Sequence, residues 1–173
     1  MKPIFEAGPL ITACKFNVGG TVVIDYLTHL VPITITTAVQ QEVVVAGAHY
    51  PDAAVAKNRI SDGEIEVKSP VANLDLSSVL AMYGLGSGES EAIRLASQEM
   101  AHDPTTLLVV DDVLAYMVCD RLKINKLLFL DFLVALVDEA LLKVASAKAI
   151  VQTVRVRYPK GFVDHTLHLL DER

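Results

Sequence analysis

Short apolar runs alternate with longer stretches whose apolar positions recur at helical spacing, and this alternation predicts an α/β fold with a mostly parallel sheet. Pro3, Ile4 and Phe5 form the first run, which ends at Glu6. Gly8 and Pro9 then mark a turn, and Leu10 to Val18 reads as a helix stopped by Gly19 and Gly20. Thr21 to Leu27 is β-rich and reads as a strand or a covering helix. Ile33, Thr34 and Ile35 alternate like a strand, and Thr36 or Thr37 suits the N-cap of a helix running through Val43 to Val45.

Further along, Pro51 and Asp52 open a helix to about Arg59, Ser61 to Gly63 is a turn, and Ile65 to Val67 alternates like an edge strand. A short helix is predicted over Asp75 to Met82. The glycine-rich stretch Gly84 to Gly88 reads as a flexible loop feeding a helix that carries Glu89, Glu91 and the apolar residues Ala92, Ile93, Leu95 and Ala96. Leu107 to Val110 is a continuous apolar run of the kind that forms a buried strand. It ends at Asp111 and Asp112, where a helix starts and continues to about Leu122. Leu127 to Leu130 is the next predicted strand, with Asp131 at its end, and helices fill most of the remainder, the last two separated at Gly161. No repeat, low-complexity segment or long linker divides the chain, so residues 1–173 read as a single domain.

Composition narrows the function classes. Apolar residues make up 52% and charged residues 21%, which fits a compact fold and excludes disorder. The net charge of −6 leaves no global basic field for nucleic acid, so a polynucleotide substrate needs a metal, a local basic strip or a partner protein. Cys14 and Cys119 sit in apolar, helix-like surroundings and read as buried intracellular thiols rather than a disulfide or zinc pair. Leu127 to Val137, interrupted by Asp131, is too short to span a bilayer. No leader pattern precedes Glu6, and the expected location is the cytoplasm.

The chemistry rests on acids. Glu6 and Asp111 are placed at the carboxyl ends of predicted strands, Glu91 in the first turn of a helix, and Glu42 inside another. Side chains at the carboxyl ends of parallel strands meet at one sheet edge. Carboxylates gathered there are best reconciled by a hard divalent cation, Mg²⁺ or Mn²⁺, which also acidifies bound water and steadies a phosphodiester in its transition state. The competing reading is that acids simply favour helix N-termini, with Glu91 and Arg94 pairing at i, i+3.

Ile4 to Ile11, Gly88 to Ala96 and Leu107 to Asp112 resemble, in order, three signature blocks of PIN domains, closest to the branch with a Gly-Glu-x-Glu-Ala-Ile block and a double aspartate. The stretch from Val31 to Glu42 resembles the block between the first two. The resemblance implies a three-layer α/β/α sandwich and a Mg²⁺- or Mn²⁺-dependent endoribonuclease. Many such relatives are toxins of toxin–antitoxin pairs, often homodimers, each held inactive by an antitoxin. By position it carries metal and catalytic roles onto Glu6, Glu42, Glu91 and Asp111, with Asp112 as a further metal ligand. The chain departs from that pattern in three places. Glu6 replaces the usual aspartate, Tyr116 stands where an arginine usually follows the double aspartate, and no Gly-Thr turn precedes Asp131. A catalytically degenerate PIN-like binding or regulatory module is therefore the alternative.

The basic residues cluster as Lys57 with Arg59, and as Arg155, Arg157 and Lys160, each able to touch a phosphate backbone or merely to solvate a face. Aromatic residues are only 6%, with no tryptophan, so composition offers no broad stacking platform. The glycine stretch lacks the lysine of a P-loop. His165 and His168 lack partners at zinc-binding spacing.

Overall fold

The computed structural model describes residues 1–173. Five parallel strands form the central sheet: β1 (Lys2–Phe5), β4 (Ile33–Thr36), β5 (Ile65–Lys68), β6 (Thr106–Val109) and β7 (Lys126–Leu127). Their order is β5-β4-β1-β6-β7, with β1 central and paired in parallel to both β4 and β6. Successive side chains of a strand point to opposite faces. Phe5 and Val109 accordingly enter one core layer, while Ile4 and Leu108 enter the other. Each layer is sealed by helices, which gives the expected α/β/α sandwich and explains why these strands read as continuous apolar runs.

The larger core lies beneath α1 (Ala7–Lys15), α2 (Val23–Thr28), α8 (Phe129–Asp138), α9 (Val144–Val154) and α10 (Lys160–Asp171). Phe5 is fully buried there and meets Phe129 and Phe132 edge-on, at centroid separations of 6.3 and 5.5 Å. The smaller core is closed by α5 (Leu74–Met82), α6 (Ser87–Met100) and α7 (Val113–Arg121). Cys14 lies in the first core and Cys119 in the second, both free, and burial pushes each thiol up to about 12. No helix is long and apolar enough to cross a membrane.

Three local expectations are corrected. The first helix ends at Lys15, because residues 17–22 form a hairpin of β2 (Asn17–Val18) and β3 (Thr21–Val22). Gly19 and Gly20, at φ +59° and +88°, supply the two left-handed residues that a tight two-residue hairpin turn requires. Leu127 to Leu130 is mostly helix: β7 stops at Leu127 and α8 begins at Phe129, so Asp131 sits in a first helical turn rather than at a strand end. The break before α10 falls at residues 155–159, a short 3-10 turn followed by Pro159, and Gly161 lies inside α10.

The helix after β4 has a composite form. Thr36 caps α3 (Thr37–Gln40) by accepting from the Val39 backbone N–H at 3.2 Å, as expected. From Gln41 to Ala46 the turns widen into a π-helix, which contains Glu42, before α4 (Pro51–Ser61).

Candidate metal and phosphodiester site

Strand order reverses about β1, with β4 and β5 to one side and β6 and β7 to the other. In such sheets the carboxyl ends of the strands flanking the reversal frame a crevice. Glu6 follows β1 directly and Asp111 follows β6 by two residues, so both acids stand at that edge. Glu6 is only 6% exposed. One of its oxygens, Oε2, is buried without a hydrogen-bond partner. Gly8 leaves the room that the two acids occupy: a Cβ there would lie 3.3 Å from Glu6 Oε2 and 3.6 Å from the Asp111 Cβ.

Burial pushes the Glu6 carboxyl up to about 7. The backbone N–H groups of Gly8 and Asp111 partly offset this, while the charges of Glu89 and Asp111 reinforce it. Glu42, at the solvent-exposed rim, is also raised, by desolvation first and by Glu89 second. Gly88 lets the π-helix come close, since a Cβ on it would stand 2.8 Å from Glu42 Oε2. The negative charge of Glu89 acts repulsively on both Glu6 and Glu42.

Asp111 spends its oxygens on tertiary bonds. Oδ1 accepts from the Phe129 backbone N–H at 3.0 Å and caps the start of α8; Oδ2 accepts from the Tyr158 hydroxyl at 2.7 Å. Burial raises its pKa, against the lowering effect of these two bonds and of the nearby Arg157 guanidinium. The same arrangement raises the Tyr158 phenol, first through desolvation and then through the Asp111 charge.

The structure brings together Glu6 and Asp111, while Glu42 stands on the exposed rim within the field of Glu89. Two other expected site residues each accept a backbone N–H at a helix start. Glu91 accepts from the Ala38 backbone N–H at 3.0 Å, holding the start of α3, and its other oxygen is 3.8 Å from Arg94. Asp112 is the N-cap of α7, accepting from the Ala115 backbone N–H at 2.8 Å. Sequence reasoning assigned Glu89 only a helix-terminal charge and missed Tyr158 altogether. A glutamate two residues before Glu91 in the same glycine-led helix start was the available signal for the first; the second had none.

Of the basic cluster, Arg157 lies on the cleft that Asp111 lines, whereas Arg155 and Lys160 line a neighbouring cavity that shares Tyr158 with it. Tyr116, in the place of an arginine, packs against the smaller core, and Lys126 lies over its ring at 5.0 Å. The other basic pair divides: Arg59 is bidentate to Asp25 at 2.6 and 3.0 Å and also meets Glu64, a structural use.

Whether a divalent cation suits this edge turns on donor chemistry. The donors are carboxylate oxygens, the ligands Mg²⁺ and Mn²⁺ prefer, and the buried Glu6 oxygen lacks any other partner. No group of three or more histidine, cysteine, aspartate or glutamate side chains stands close enough to hold an ion, so at most two carboxylates could serve. Mg²⁺ keeps several waters and is commonly held by one or two carboxylates plus substrate phosphate, so an open set of this kind fits it.

A sequence model of PIN domains matches residues 3–172. The chain belongs to the PIN-domain family. No curated protein and no solved structure matches it. Membership in a family that includes metal-dependent nucleases agrees with the buried Glu6 and half-buried Asp111 at this edge, with Arg157 on the adjoining cleft.

Proposed function

We propose that this PIN domain is a divalent-metal-dependent endoribonuclease. The observation that carries the reading is Glu6 Oε2, buried and unpartnered beside Asp111 at the strand-order reversal. Ionising Glu6 there costs free energy that a cation would return. Glu6 and Asp111 would hold Mg²⁺ or Mn²⁺, with Glu42 and Glu89 adding negative charge from the rim. A bound ion supplies an acidified water and neutralises charge developing on a phosphodiester.

The chain's own groups have separate tasks. Tyr158 and the Phe129 N–H fix the Asp111 carboxylate in one orientation. Arg157 and its basic neighbours give a phosphate backbone a place to lie beside an otherwise acidic protein. Glu91 and Asp112 serve as helix caps in this scheme and position Glu42 and Asp111 indirectly. The toxin role, with an antitoxin and a second copy of the chain as partners, belongs to the same reading.

A second reading, a degenerate module, is favoured by one feature: both Asp111 oxygens already accept protein hydrogen bonds. The two separate on one experiment. RNA cleavage is followed with Mn²⁺ or Mg²⁺ for the wild type, Glu6→Gln and Asp111→Asn, with Mn²⁺ binding measured by calorimetry. The nuclease reading expects cleavage that falls on the order of 100-fold in each variant, as when one preorganised group is removed from a charged transition state. Absence of both cleavage and saturable Mn²⁺ binding in the wild type establishes the degenerate reading instead.

A further inference from the structure

Beside Asp111 the acidic edge opens into a cleft of about 320 Å³, lined from α7, α8, the turn before α10, and α10 itself. That volume lies at the small end of the range of roughly 300–1,000 Å³ for small-molecule sites, room for one nucleoside rather than two. Its wall is mainly apolar and includes Leu128, Leu130 and two aromatic rings, Tyr158 and Phe162. Phe162, 52% exposed, is the more open of the two rings. Tyr158 is held nearly parallel to Phe129, at 7° and 6.5 Å, and is fixed at its hydroxyl by Asp111.

Within this apolar wall stands one carboxylate that the protein does not satisfy. Asp131 is half-buried in the first turn of α8, its titratable neighbours are His165 and Asp111, and it makes no hydrogen bond or salt bridge within the chain. A carboxylate is an acceptor with two oxygens and calls for donors. A second acid, Asp111, lines the same cleft, so a ligand must present a neutral, donor-bearing face to the acids and keep any phosphate on the Arg157 side. Arg157 supplies the one cation of the lining.

These features match an unpaired nucleobase. Sequence-specific RNA recognition uses splayed bases that lie against aromatic rings and are read along their Watson–Crick edges. Of the four bases, guanine alone presents two adjacent donors on that edge, N1–H and the N2 amino group. Adenine and cytosine each pair an amino donor with a ring acceptor, and uracil sets a single N–H between two carbonyl acceptors. We propose that the cleft is a guanine-selective base subsite, in which Asp131 accepts from N1–H and N2–H. The ring lies against the Phe162 and Tyr158 wall, and the flanking phosphate turns toward Arg157 and the acidic edge. This assignment rests on the ribonuclease reading and adds the base that the strand must carry next to the reacting phosphate.

The test separates the subsite from catalysis. The full-length protein, kept metal-free with chelator, is titrated calorimetrically with the 5′-monophosphates of guanosine, adenosine, cytidine and uridine. The guanosine nucleotide is expected to bind about tenfold more tightly than the others, the discrimination typical of one bidentate contact to a base. Asp131→Asn, which replaces one acceptor oxygen by a donor, removes that preference, and Phe162→Ala weakens all four nucleotides together. Circular dichroism confirms that both variants fold. Equal affinities, no binding of any of the four, or a guanosine preference that survives Asp131→Asn overturns the subsite. Glu6-dependent cleavage of RNA without preference for guanosine overturns it while leaving the nuclease intact. Loss of cleavage with the guanosine preference retained fails the nuclease reading alone.

Discussion

Glu6→Gln isolates the electrostatic cost of the site. An ordinary glutamate titrates near 4.5, whereas burial moves Glu6 to about 7. A carboxyl group with a raised folded-state pKa is favoured in its protonated form by folding. Its contribution is therefore fully present below 4.5 and is lost as pH rises from there through 7. Moving the midpoint that far, at about 1.4 kcal/mol per pH unit, removes about 3 kcal/mol of stability from the metal-free protein by pH 8. At 6% exposure the group is shielded from solvent screening. Glutamine cannot ionise, so the wild-type-minus-variant stability should change by about 3 kcal/mol between pH 4 and 8, the variant gaining. For a chain of this length that corresponds to a relative melting shift on the order of 10 °C. Urea unfolding by circular dichroism at several pH values with chelator present measures it. The difference is insensitive to whatever constant penalty the amide incurs, because only its pH slope is read. Parallel wild-type and variant curves across that range would refute the claim that burial of Glu6 outweighs the backbone N–H groups that partly offset it.

Three further outcomes follow from the hydrogen bonds and charges described. Tyr158→Phe removes the hydroxyl donor to Asp111 Oδ2; it should cost about 1.5–3 kcal/mol in urea unfolding near neutral pH, as for a hydrogen bond to a charged group, and raise the Asp111 midpoint in a carboxyl NMR titration. Arg59→Ala, which breaks the bidentate pair with Asp25, should cost about 1–3 kcal/mol of stability and leave RNA cleavage by the folded protein unchanged, whereas Arg157→Ala should weaken RNA binding and reduce its salt dependence with little loss of stability.

The sequence by itself determined the layers of this protein. Continuous apolar runs at residues 3–5 and 107–110 could be satisfied only by strands covered on both faces, and Glu6 and Asp111 had to follow them at the same edge once the sheet was parallel. Thr36 as a helix cap was equally legible, because capping is settled within four residues. Bonds between segments distant in the chain decided the rest. Nothing local distinguishes Leu127 to Leu130 as a strand from the same residues as a helix start; Asp111, eighteen residues earlier in the chain, accepts the Phe129 N–H and makes α8 begin there. Likewise Glu89 and Glu91 share one helix turn and one kind of charge, and only the approach of the segment after β4 separates them. That approach offers the Ala38 N–H to Glu91, while the Glu89 charge bears on Glu6 and Glu42. Period and propensity are carried by neighbours along the chain, whereas the destination of a carboxylate depends on which donors and charges the folded chain brings to it.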